Sequence, residues 1–109
     1  MSLALPPILA ALVAAHNAHD SAAFVDCFSE DAVLRDEGRK LLGRPAIREW
    51  FEDVSRRYRA ILHVTALATK DGEPVLSGKV SGSFDGSPIN LRYYLAVDDG
   101  KIVALRIAA

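Results

Sequence analysis

The stretch "KDGEPVLSGKVSGSFDGSPINLRYYLAVDDGKIVALRI", residues 70–107, carries Asp-Gly pairs at 71–72, 85–86 and 99–100, fourteen residues apart each time. Apolar and polar residues alternate between the pairs. Asp-Gly between alternating runs signals a hairpin, because both central residues can take the positive φ that a tight turn demands. The spacing predicts four long antiparallel strands in a meander, over 60–70, 74–84, 88–98 and 101–108. The period is hairpin geometry, not a solenoid repeat.

Alternation assigns the faces of these strands. Leu76, Gly78, Val80, Gly82 and Phe84 share one side, with Ser77, Lys79, Ser81 and Ser83 on the other. Ile89, Leu91, Tyr93, Leu95 and Val97 then oppose Asn90, Arg92, Tyr94 and Ala96, and Val103, Leu105 and Ile107 complete the apolar face. Gly78 and Gly82 are expected to let a long strand bend and to leave space beneath it.

Upstream, "DAVLRDEGRKLLGRPAIREWF", residues 31–51, starts with a short apolar run that reads as a buried strand ending in Arg35-Asp36-Glu37. Gly43 and Pro45 then open a helix whose buried stripe is Ile47, Trp50, Phe51, Val54 and Tyr58. Arg44, Arg48, Glu49, Glu52, Arg56 and Arg57 take its remaining, solvated faces. Nearer the start, Pro7 suits a first helical turn, and Ile8, Leu9, Leu12, Val13 and His16 follow at helical spacing. Asp20 is a candidate N-cap for a second short helix carrying Phe24, Cys27 and Phe28. The sum is an α+β fold over residues 1–109 as one domain: three helices on a curved, mostly antiparallel sheet, with an enclosed pocket.

The totals narrow the function. At 109 residues the chain can bury about two thirds of its unfolded surface. It is 50% hydrophobic and 25% charged, an ordinary globular composition, and its net charge of −1 argues against nucleic-acid and membrane partners, which would need a basic patch. One cysteine, Cys27, excludes an internal disulfide and fits a reducing compartment. The opening "MSLALPPILAALVAAHNAHD" has no Lys or Arg before its apolar run and places Pro6-Pro7 where a signal core would begin. It reads as the first helix of a cytoplasmic protein.

"AAHNAHDSAAFVDCFSEDAVL", residues 14–34, and "GRPAIREWF", residues 43–51, ahead of the meander, resemble the nuclear-transport-factor-2-like (NTF2-like) superfamily. The closer likeness is to its SnoaL-like branch of polyketide cyclases and ketosteroid isomerases, and it covers nearly the whole chain. The resemblance implies a cone-shaped fold that dimerises through the outer sheet face, and a cofactor-independent chemistry. In ketosteroid isomerase an aspartate base works beside an oxyanion hole of a tyrosine and a protonated aspartate. Matched by position, the base falls on Asp36, the tyrosine on Leu12 and the protonated aspartate on Tyr93. Leu12 cannot donate a hydrogen bond, so half of that oxyanion hole is missing.

The residues weigh as follows. Asp36 is either a turn acid among Arg35, Glu37, Arg39 and Lys40, or a general base whose pKa an apolar cavity would raise. It shares parity with Ala32 and Leu34, which points it inward and Arg35 outward. Tyr93 is a core aromatic or a phenol donor to a substrate carbonyl. His16 lies on an apolar stripe, where a histidine is more often a satisfied core group than a catalyst. The expected pocket wall is Leu12, Trp50, Val54, Val80, Leu91, Leu95 and Leu105 beside His16 and Tyr93. No metal site is expected: His16 and His19 lack a third ligand, and His63 points outward with Thr65. Cys27 reads as a small buried hydrophobe.

Two functions follow from these residues. One is an isomerase or cyclase removing a proton next to a carbonyl, with Asp36 as base. The other is a non-catalytic ligand-binding domain, which Leu12 favours over a faithful isomerase, or a dimeric scaffold, against which Gly78 and Gly82 weigh. The expected ligand is a small apolar molecule with a carbonyl or hydroxyl. Lys79, Arg92, Tyr94 and Arg106, alternating with small residues, mark the expected homodimer face.

Overall fold

The computed structural model describes residues 4–36 and 38–109. The chain runs α1 (Pro7–Ala18), α2 (Ser21–Asp26), β1 (Phe28–Asp36), β2 (Arg39–Leu42), α3 (Gly43–Tyr58), β3 (Ile61–Lys70), β4 (Glu73–Ser81), β5 (Ile89–Asp98) and β6 (Lys101–Ala108). The six strands form one sheet in the order β2-β1-β6-β5-β4-β3. All neighbours are antiparallel except β1 and β6. The β3–β6 meander is the expected one. The first apolar run returns beside the last strand, so β1 sits inside the sheet.

The helices close one face of the sheet through a shared apolar layer. Phe24 of α2 stacks on Phe51 of α3 with ring centroids 3.9 Å apart and planes 4° apart, and Phe28 adjoins at 5.3 Å. Leu9, Leu12, Phe28, Leu34, Ile47, Phe51, Leu76 and Ile102 belong to one buried cluster. Asp20 caps α2 as its residue type suggests, accepting from the Ala23 N–H at 3.1 Å.

Phe28, expected on the second helix, opens β1 instead, and three further details depart from the sequence reading. The middle Asp-Gly pair does not make a two-residue hairpin. β4 ends at Ser81, not 84, the last β4–β5 pair is Val80 with Ile89, and a loop over 82–88 carries Phe84. Only at 71–72 and 99–100 do both residues take positive φ, 54° and 81° in the first and 50° and 75° in the second. Tertiary contacts hold the middle loop open: Ser83 N–H donates to Tyr58 O at the end of α3.

The second departure is in β6, where Ile102 is fully buried and Val103 only half-buried. Val97 pairs with Ile102 but Ala96 with Ala104, and this bulge shifts the inward phase by one residue. The third concerns the glycines. A Cβ on Gly78 would collide with Leu62 Cδ1, and one on Gly82 would lie 2.6 Å from Tyr58 O. They admit close neighbours and do not hollow the sheet.

Candidate functional site

A cavity of about 490 Å³ lies between the helices and the sheet. Leu12, His16 and Phe24 line it from α1 and α2, and Trp50, Val54 and Tyr58 from α3. The sheet contributes Asp36, Leu62, Val80, Leu91, Tyr93, Leu105 and Ile107. Of the expected wall only Leu95 is absent. It is buried in the core instead, with 2% of its surface exposed.

Strand register explains how Asp36 and Tyr93 meet the same space. β1 and β5 flank β6, and both Asp36 and Tyr93 pair with Ile107. Directly paired residues share a face, so the three form one row across the sheet. Their outer strands are about 9.5 Å apart at two interstrand spacings. Asp36 is half-buried, while Arg35 is exposed. Tyr93 is buried, and its phenol pKa is pushed well above its usual value, first by burial and then by the Asp36 charge. The hydroxyl therefore keeps its proton at any physiological pH. It is a donor.

His16 sits in an aromatic wall, 5.8 Å from the Phe51 ring and 6.4 Å from Phe24. Burial holds its pKa below the ordinary 6.5, against the raising effect of Asn17, so the ring is neutral near pH 7. Asn17 also decides the tautomer. Its Nδ2 donates to Leu62 O at 2.9 Å, and its Oδ1 accepts from Leu62 N–H at 2.8 Å. The same Oδ1 lies 3.2 Å from His16 Nδ1 and can only accept. The His16 proton is thus on Nδ1, which leaves the Nε2 lone pair available.

Asn17 was not singled out from the sequence, yet Asn17, His19 and Asp20 of "HNAHD" each tie a different part of the fold together. His16 faces the cavity, Asn17 clips α1 to the backbone of edge strand β3, and Asp20 caps α2. His19 takes a left-handed φ of 55° that ends α1, and its Nε2 meets Ala60 O at 3.0 Å. His16 and His19 therefore serve separate partners. His63 and Thr65 are exposed. Cys27 is buried, and desolvation raises its thiol pKa.

The sequence of residues 9–105 matches the family model of the SnoaL-like domain. The chain belongs to the SnoaL-like family. Its structure is similar to that of a candidate polyketide cyclase from Sinorhizobium meliloti, with TM-score 0.90 and 31% identity over 95% of both chains. A candidate polyketide cyclase from Pseudomonas putida matches with TM-score 0.82 and 21% identity, over 99% of this chain and 92% of that one. A protein of ketosteroid isomerase-like fold from Catenulispora acidiphila, in complex with trimethylamine, matches with TM-score 0.86 and 18% identity, over 97% and 87%. A search of the curated proteins found no match. The cavity carries Leu12 from α1 and Tyr93 from β5.

Proposed function

We propose that this SnoaL-like protein binds a small, mostly apolar carbonyl compound in the cavity and moves a proton next to that carbonyl. The observation that carries the reading is the row Asp36–Ile107–Tyr93 on the cavity face. Asp36 removes a proton from the carbon beside the carbonyl. Tyr93 donates to the carbonyl oxygen as enolate charge develops there, with the desolvated setting strengthening that bond. The proton then returns to another carbon in an isomerisation; in a cyclisation the enolate carbon attacks a second carbonyl of the same ligand, its C=O π bond opens, and the proton goes to the alkoxide oxygen so formed. His16 Nε2 accepts from a substrate hydroxyl. The carbonyl chemistry needs no cofactor. The trimethylamine complex of a similar fold supports small-molecule binding as a use of this architecture.

Asp36→Asn tests the reading because it removes the base and nearly keeps the shape. Proton transfer, followed by deuterium exchange into a bound cyclic ketone, should fall at least about 100-fold while ketone affinity stays within a few-fold. Exchange unchanged in the variant would remove Asp36 as base. A second reading, binding without turnover, is favoured by Leu12, which offers no hydrogen bond where the isomerase tyrosine would stand. The unpaired, buried Cys27 fits a reducing, cytoplasmic setting.

A further inference from the structure

The charge of the cavity wall is one-sided. Among the described residues its side chains include two carboxylates, Asp36 and Asp85, and no lysine or arginine. Asp36 lies half-buried at the end of β1, and Asp85 lies exposed in the loop over 82–88. Beside Asp85 is an aromatic corner: Tyr58 meets Phe84 edge-on, with centroids 5.8 Å apart and planes at 86°. The corner is tied together by backbone, since Ser83 N–H donates to Tyr58 O at 2.8 Å. Gly82 N–H also donates to Ser87 Oγ, at 3.0 Å, across the loop. The cation beside this corner, Arg57, stands 5.1 Å from the Tyr58 centroid but does not line the cavity. Its charge is answered by Asp53 at 3.2 Å.

We propose that the ligand presents a positively charged nitrogen at this mouth, a protonated tertiary amine or a quaternary ammonium group. Asp85 and the Tyr58–Phe84 corner receive the charge, and the apolar, carbonyl-bearing part of the ligand lies inward. A cation is attracted to the negative faces of aromatic rings and to the carboxylate, while an anion would be repelled by the Asp85 carboxylate. The inference rests on the cavity being a ligand site and names the substrate class of that site.

Choline and its uncharged isostere 3,3-dimethylbutan-1-ol share one shape and differ in charge, and 3,3-dimethylbutanoate keeps the neutral trimethyl head but carries a carboxylate in place of the CH2OH end. Titration of each into the full chain by amide NMR gives their affinities and places them by the shifts of Ala60, Phe84 and Ile89. Choline should bind about ten-fold tighter than the alcohol, and the anion more weakly than either. Asp85→Asn, with its thermal midpoint checked against the wild type, should bring the choline-to-alcohol ratio close to one. Equal binding of choline and alcohol, or a ratio that Asp85→Asn leaves intact, overturns the inference and leaves the cavity reading in place. Binding of none of the three, nor of a cyclic ketone, removes the cavity reading and the inference with it.

Discussion

Asn17 and His16 show how much one short segment decides. Asn17 satisfies both backbone groups of Leu62 on an edge strand. Asn17→Ala should therefore cost about 1–3 kcal/mol, since two part-buried backbone groups lose their partner. Urea unfolding of the two proteins gives the difference directly. His16 makes the opposite kind of prediction. Its folded pKa lies below 6.5 because burial disfavours the imidazolium. The unfolded chain binds the proton more readily, so stability should fall as pH drops below about 6.5 and stay level above it. His16→Leu should remove that part of the acid slope, as thermal melts at pH 7 and pH 5 would show. A slope identical in wild type and variant would mean that the ring is not desolvated.

At the scale of elements, the strand pair β3–β4 is shaped by Gly78. Leu62 packs where a Cβ on residue 78 would stand, and His63 O closes the remaining side at 3.0 Å. Gly78→Ala should destabilise by about 1–3 kcal/mol through overpacking. Truncating the facing chain should recover part of the loss, so Gly78→Ala with Leu62→Ala is expected to be less costly than the sum of the single changes. Strict additivity in guanidinium unfolding would refute the contact as the cause. The three Asp-Gly pairs teach a related lesson. Two form the tight turns their residues favour, and the middle one does not, because the end of α3 captures Ser83 N–H.

For the whole molecule, the outer sheet face is where a second copy is proposed to sit. Strand register puts Val33, Ala96 and Ala104 in one row with Leu42, whose side is 63% exposed. The next row places Arg35 and Arg106 beside Tyr94, with the Arg106 guanidinium 4.1 Å from the Tyr94 ring centroid. Lys79 and Arg92 are exposed on the same face. An apolar strip edged by arginine and tyrosine has the composition of protein interfaces. Light scattering at micromolar protein should give twice the monomer mass, and Ala104→Glu should return a folded monomer. A wild-type monomer at that concentration would refute the dimer.

Much of this was legible in the sequence because its causes are local. Alternation assigned the faces of β4 and β5, Asp-Gly placed two of the turns, and helical spacing put His16, Trp50 and Val54 on inward stripes. Asp20 was readable as a cap from its side chain alone. Asp36 and Tyr93 could be given faces by parity, but not a shared row, because that depends on β1 returning beside β6 and on both residues pairing with Ile107. Leu95 had the right face and the wrong depth. The bulge at Ala96/Val97 moved Ile102 into the core, and Leu62 took the space that Gly78 had suggested was empty. The sequence determined which side each residue would present, through periods of two and 3.6 residues. The tertiary structure alone decided which of those sides meet, because strand register and helix docking are set by packing between segments far apart in the chain.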